Sequence, residues 1–285
     1  MIPGSFEYHR PASLAEATGL LSRLGEEARV LAGGHSLIPM MKLRMAAPAH
    51  LVDLQGIADL RGIAREGGEI VIGAMTTQHE LIASDALATA VPLIREAALQ
   101  VADPQVRYVG TIGGNVANGD PGNDMPGVMQ CLGASFDLTG PGGTRRVAAR
   151  EFYESAFVTA RAENEILTRI RIPVPPSGQG HAYVKQKRKI GDYATAAAAV
   201  LLTMAGGKCA SASIAVTNLK DTPVHIGDGG LSATDLGAAA QAAAIAAMQA
   251  AIDPASDNKG PAEFKRHVAG VILRRAIALA AGRAA

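Results

Sequence analysis

Apolar residues at positions 14, 17, 21 and 24 recur at helical spacing behind Ser13, and Glu16 completes a capping box. A helix is therefore predicted from 14 until Gly25 stops it. "ARVLA" (28–32) follows as a short buried strand and runs into Gly33-Gly34, with "HLVDL" (50–54) and "EIVIGA" (69–74) as further strands. Thr77 and Glu80 form a second capping box, and Pro92 opens a helix through "LIREAALQVA". Between 133 and 173 the pattern shortens. "ASFDLTG", "TRRVAA" and "EILTRIRIP", punctuated by "GPGG", predict an antiparallel sheet. "RIPVPPSGQG" (171–180) concentrates Pro and Gly and reads as a linker. Beyond it "HAYVKQKRK", "YATAAAAVLLTM" and "ASASIAVTNL" predict three strands. Ala-rich helix follows from about 231, and Pro261 starts a last helix with Phe264, Val268, Val271 and Ile272 on one side. The methionine-rich "PMMKLRM" (39–45) reads as core packing.

Two places break this pattern in the same way. "LAGGHS" (31–36) and "TIGGN" (111–115) each run an apolar residue into Gly-Gly, then a small polar side chain. Without Cβ atoms, backbone N–H groups can converge into a nest for anionic oxygens. One such loop is an ordinary turn. A pair, each followed by a hydroxyl or amide (Ser36, Asn115), suits a diphosphate gripped from both sides. The chain has no GxGxxG, and "AGGKCA" places Cys where a nucleotide triphosphatase loop needs Ser or Thr. The pattern thus points to a dinucleotide held outside the Rossmann fold.

Composition narrows the partners. Among 285 residues, 48% are hydrophobic, 4% aromatic, and the formal net charge is +1, which disfavours nucleic-acid binding. No secretory signal or transmembrane segment is read, so a cytoplasmic location is expected. With two cysteines, Cys131 and Cys209, the chain cannot supply four thiolates for an iron–sulfur cluster. Its seven histidines show no ligand spacing, and no metal site is expected.

"LAGGHSLIPMMKLR" and "GTIGGNVANGDPGNDMP" resemble the paired FAD-binding motifs of molybdenum hydroxylase flavoprotein subunits (the xanthine oxidase family). "MIPGSFEYHRP", "ADPQVRYVGTIGGN" and "KRKIGDYATAAAAV" narrow the likeness to the medium subunits of aerobic carbon monoxide dehydrogenases. The resemblance covers most of residues 1–220, fades over 221–250, and returns at "ASDNKGPAEF" and "AGVILRRA". It implies an α+β chain with a vanillyl-alcohol-oxidase-type FAD fold made of two α/β subdomains, residues 1–56 and 57–176. A C-terminal flavoprotein domain, 177–285, with three antiparallel strands and a helix bundle, would follow. Ala32, Gly33, Gly34, His35 and Ser36 match the first phosphate loop, and Thr111, Ile112, Gly113, Gly114 and Asn115 the second. Asp124 matches an acidic position near the ribityl and phosphate region, and Lys185 and Tyr193 match the C-terminal domain's share of the flavin site. Each has a plainer alternative: Asn123 or Asp124 caps the helix through "MPGVMQCL", Lys185 lies on a solvated strand edge, and Tyr193 anchors a strand. For His35 the backbone amide is the safer contact than the ring.

No nucleophile–base–orienter set is found, so the chain reads as an electron relay and not as the part that activates substrate. The resemblance implies an iron–sulfur small subunit carrying 2Fe–2S clusters and a molybdopterin large subunit that converts CO and water to CO2. Electrons would pass to FAD and on to a quinone or similar acceptor, in a dimer of heterotrimers that could sit at the inner face of the cytoplasmic membrane. Three rivals stand beside this: another molybdenum hydroxylase acting on an N-heterocycle or aldehyde, a stand-alone FAD oxidase, and a non-enzymatic nucleotide-binding scaffold.

Overall fold

The computed structural model describes residues 2–284. It opens with β1 (Glu7–His9), α1 (Leu14–Leu24), β2 (Ala28–Leu31), α2 (Leu37–Lys42) and β3 (His50–Asp53), whose strands form a parallel sheet in the order β1-β3-β2. Ser13 caps α1 by accepting from the Glu16 amide, while the Glu16 carboxylate reaches the Ala12 amide at 2.9 Å. Ala17, Leu20 and Leu21 of α1 pack with Ala28 and Val52 of the sheet.

A five-stranded antiparallel sheet follows, in the order β4-β5-β10-β6-β7. Its strands are β4 (Ile63–Glu66), β5 (Glu69–Gly73), β6 (Ser135–Gly140), β7 (Gly143–Ala148) and β10 (Ile166–Pro173). A small hairpin of β8 (Tyr153–Ser155) and β9 (Val158–Thr159) lies between β7 and β10. Six short helices cover this sheet: α3 (Gln78–Ala83), α4 (Asp85–Ala90), α5 (Pro92–Ala98), α6 (Pro104–Val109), α7 (Ile112–Ala117) and α8 (Asp124–Cys131). The Thr77–Glu80 capping box forms with both of its hydrogen bonds.

After the linker come β11 (Gly180–Gln186), β12 (Ala196–Ala205) and β13 (Lys208–Thr217), an antiparallel meander joined by the two-residue β14 (Val224–His225). Two helices, α9 (Ala238–Ala251) and α10 (Ala262–Ala281), close the chain. The apolar run of β12 is explained by its position. Ala197 and Ala199 join the core that holds α8, and Ala196, Ala198 and Val200 join the core under α9 and α10. A strand covered on both faces needs no polar alternation.

The structure adds two strands not named from the sequence, β1 and β4, and corrects three expectations. The second Gly-Gly pair lies within α7, not in an open loop. Of the methionine-rich stretch only Met41 is buried, at 2% exposure, whereas Met45 stands 70% exposed after the positive-φ Arg44. The buried side of α10 carries Lys265, Ala269, Ile272, Leu273 and Ala276, with Phe264 left 47% exposed. That face turns because the Lys265 ammonium is buried against Asp257 at 2.7 Å, a pairing that no apolar period announces.

The start of β11 touches the end of α10 so closely that a Cβ on Gly180 would fall 1.8 Å from the Ala280 carbonyl oxygen. Gly180→Ala should therefore destabilise the chain by about 1–3 kcal/mol, the usual cost of overpacking. Urea denaturation measures this, and an unchanged midpoint would show that the α10 terminus retreats freely.

Candidate functional site: a cavity between the two glycine pairs

After β2 the chain turns at Ala32–Gly34 to enter α2, and Gly34 takes φ +74°, a conformation that favours glycine. Gly33 has a different constraint: a Cβ there would lie 2.5 Å from the Val109 carbonyl oxygen. The N–H groups of Gly33, Gly34, His35 and Ser36 donate to no protein acceptor among the described residues. Ser36 precedes α2 without capping it, leaving its hydroxyl uncommitted. His35 is exposed.

The second glycine pair works differently. Thr111 caps α7, its hydroxyl accepting from the Gly114 amide at 3.1 Å. The Ile112 amide donates to the Thr76 carbonyl and the Gly113 amide to that of Ala74, each at 2.9 Å, and the Asn115 amide donates to Thr111 at 3.1 Å. These N–H groups are spent inside the protein, so the expected pair of matching nests is not what the chain builds. The glycines here give clearance. A Cβ on Gly113 would sit 2.5 Å from that of Ala74, and one on Gly114 would lie 3.3 Å from that of Ala32.

Between the loops lies a cavity of about 570 Å³, a size usual for cofactor sites. Every sequence-predicted site residue lines it except Ile112, which is fully buried in the core. Two buried side-chain amides without partners also belong to its lining. Gln78, 2% exposed, leaves both amide atoms unpaired, and Asn115 leaves its Oδ1 unpaired. Gln78 escaped the sequence because it lies 33 residues before Thr111 plus the intervening helices; a single bridge between Thr77 and Thr111 joins the two segments.

At the far end Asp124, 5% exposed, accepts from the Tyr183 hydroxyl and, at 2.9 Å, from the Lys185 ammonium. Burial raises the Asp124 carboxyl above its ordinary range, against the opposing pull of Lys185. Capping does not explain the residue. Asn123 holds the cap position, its side chain donating instead to the Asn115 carbonyl at 2.9 Å. Lys185 is no solvated edge either: its side chain is 1% exposed and also donates to the Gln100 carbonyl at 3.3 Å.

Tyr193 lies in the β11–β12 loop, 46% exposed, where its ring packs on Gly122. Its phenol is pushed up to about 12, by burial first and then by Asp120 and Asp124. The preceding Asp192 is held at about 2, chiefly by a hydrogen bond from Lys259. Lys259 belongs to "ASDNKGPAEF" and drew no notice in the sequence, since nothing local connects it with residue 193. Away from the cavity, His9 and His50 lie 3.2 Å apart across β1 and β3 with Glu7 beside them, a proximity made by strand register and not by linear spacing.

Known proteins share this architecture. Residues 4–175 match the family described as the FAD binding domain in molybdopterin dehydrogenase, and residues 181–280 match the CO dehydrogenase flavoprotein C-terminal domain. The carbon monoxide dehydrogenase medium chain of Afipia carboxidovorans is 62% identical, over 100% of this chain and 99% of that one. A solved carbon monoxide dehydrogenase chain from Hydrogenophaga pseudoflava, of an enzyme lacking the Mo-pyranopterin moiety of its molybdenum cofactor, superposes with a TM-score of 0.99. It is 46% identical, with 100% of both chains covered. Quinoline 2-oxidoreductase from Pseudomonas putida 86 gives 0.94 at 32% identity, with 99% of each chain covered. A fold with its glycine-lined cavity, matched over its whole length by such chains, belongs to the FAD-binding flavoprotein family of the molybdopterin dehydrogenases.

Proposed function

We propose that this chain is the FAD-carrying, electron-transferring medium subunit of an aerobic, molybdenum-dependent carbon monoxide dehydrogenase. The observation that carries the cofactor assignment is the set of unpartnered backbone amides of Gly33–Ser36 on the lining of one cavity. Beside them the lining includes Gln78, buried with both amide atoms unpaired, and Asn115, whose Oδ1 is unpaired. Adjacent N–H groups left free of protein acceptors form a nest for anionic oxygens, and the buried Gln78 amide, whose lack of a partner costs about 1–3 kcal/mol, adds to a lining that fits a polar ligand. Higher identity to carbon monoxide dehydrogenase chains than to the quinoline enzyme favours CO as the substrate of the whole complex.

The residues present fit FAD. The Gly33–Ser36 amides and the Ser36 hydroxyl would receive phosphate oxygens, with Ala32 and Thr111–Asn115 forming the opposite wall through close backbone packing. Asp124, Lys185 and Tyr193 would border the other end. Bound FAD supplies a carrier that takes up and releases electrons singly or in pairs. The chain's own part is to hold, orient and shield it. Cys131 and Cys209 are both buried, and burial pushes the Cys131 thiol up to about 12, the opposite of a thiolate ready to ligate. Iron–sulfur clusters and the molybdopterin centre are accordingly assigned to small and large partner subunits.

The same proposal places residues 1–56 and 57–176 in the two flavin-binding subdomains and 177–285 in the C-terminal domain. It takes the assembly as a dimer of heterotrimers that delivers electrons to a quinone or similar acceptor. Among the described residues no helix is long and apolar enough to cross a membrane. A cytoplasmic complex, resting at the inner face of the membrane, is the proposed setting.

Cofactor released from the purified complex should be FAD; FMN, identified by chromatography with and without phosphodiesterase, would sink the assignment. The chain alone, loaded with FAD but free of molybdenum and iron, should show no CO-dependent bleaching of the flavin band. The Gln78 amide offers a sharper test. Gln78→Leu should leave the cofactor-free chain as stable as before or more so, because an unpartnered polar group is exchanged for an apolar one. It should weaken FAD binding by about 1 kcal/mol, roughly fivefold. Calorimetric titration and thermal denaturation read the two effects, and unaltered affinity would remove Gln78 from the site.

A further inference from the structure

Lys259 lies in the loop between α9 and α10, yet its contacts are with the Tyr193 loop. Its ammonium donates to Asp192 Oδ1 at 3.0 Å and to the Tyr193 carbonyl at 3.1 Å, and stands 5.7 Å from the Tyr193 ring centroid. Both partners of the ion pair are nearly covered, with side-chain exposures of 12% and 11%. An exposed ion pair contributes little, but one ammonium held by a carboxylate, a carbonyl and a ring face is a directed contact.

The cation's own loop is rigidly held. Asp257 accepts from the Lys259 amide at 2.8 Å and pairs with the buried Lys265 of α10 at 2.7 Å, while Ser256 accepts from the Ala262 amide at 2.9 Å. Arg188 completes the clasp from the other side, pairing with Asp192 at 3.0 Å and donating to the Asn258 carbonyl at 3.2 Å. By contrast the clasped loop has little apolar anchorage of its own, with Ile190 89% exposed.

Taking the FAD assignment above as its basis, we propose that Lys259 is a positioning residue that fixes the Tyr193 ring at the cavity mouth, transmitting the placement of α10 to the flavin's surroundings. Lys265, Asp257 and Lys259 form a continuous path from the helix to Asp192 and Tyr193. Lys259 touches no reacting group; it acts through the ring it steadies.

The loop contains its own probe, because Lys187, Arg188 and Lys189 are trypsin sites. Lys259→Met keeps the stem and removes the donors, Lys259→Arg keeps a cation, and Asp192→Asn removes the carboxylate charge. In the cofactor-free full chain, trypsin should cut within 187–189 roughly fivefold faster in Lys259→Met and Asp192→Asn, with cleavage elsewhere unchanged apart from the site after residue 259 that Lys259→Met removes, and Lys259→Arg close to wild type. In the FAD-loaded complex the same two variants should change the visible circular dichroism of the flavin and speed its reoxidation by oxygen. The double variant should fall short of the sum of the two single ones, since they share the Lys259–Asp192 contact, while the Arg188–Asp192 pair and the Lys259–Tyr193 contacts are each disturbed in only one of them. Unchanged cleavage and an unchanged flavin spectrum in Lys259→Met would overturn the proposal, as would accelerated cleavage throughout the chain or failure of Lys259→Arg to rescue. A wild-type complex without flavin would refute the FAD assignment instead, and the cleavage arm would still decide whether Lys259 holds the loop.

Discussion

Backbone contact at glycine is the constraint on which the rest of the molecule depends. Gly33 meets the Val109 carbonyl, Gly113 meets Ala74, and Gly114 approaches Ala32. The first and third contacts bring the parallel three-stranded sheet against the helices that cover the five-stranded one, and the second seats α7 on the end of β5. A side chain at Gly33 would wedge the two layers apart, and one at Gly113 would lift α7 off its own sheet. The cavity is the space left beside that seam, so its width is set by main-chain packing and not by long flexible side chains. The free amides of Gly33–Ser36 are then aimed by a loop that cannot move independently of its neighbour.

A second seam is electrostatic. Asp124 at the start of α8, Lys185 on β11 and Tyr183 two residues earlier on the same strand tie the C-terminal sheet to the helical layer around the cavity. Burying both charges costs solvation that their attraction repays only with good geometry and extra hydrogen bonds. Tyr183 and the Gln100 carbonyl supply those bonds. The pair therefore contributes placement more than bulk stability, and removing either member would strand the other charge.

Much of this was legible in the residues, for definite reasons. The Thr77 capping box and the strand patterns of β6, β7 and β10 are local chemistry and form as the sequence predicts, while at Ser13 only half the box forms, because Glu16 reaches the Ala12 amide in place of that of Ser13. The paired Gly-Gly stretches marked the cavity, although they hid an asymmetry: one pair frees its amides and the other spends them on Thr76, Ala74 and Thr111. What escaped depended on distant partners. By its strand pattern alone, and apart from the family resemblance, Lys185 reads as solvent-facing because Asp124 lies 61 residues away, and the face of α10 differs from its apolar period because Lys265 is buried by a loop carboxylate. Gln78 and Lys259 acquire meaning only through tertiary contacts with residues near 111 and 193. Periodicity carries no information about such contacts.

The alanines of β12 have a consequence for how this protein can change over generations. Ala197 and Ala199 press toward the layer containing α8, and Ala196 and Ala198 toward the layer of α9 and α10. Each is at most 1% exposed, so an added methylene has nowhere to go but into a neighbouring helix. Growth on one face displaces the helix that bears Asp124; growth on the other displaces the helix that anchors the Lys259 loop. Surface loops can accept drift without touching the cavity, whereas this one strand of methyl groups acts as a spacer between two helical layers. Size changes at single positions along β12 are therefore felt by both helical layers, and through them by the walls of the cavity.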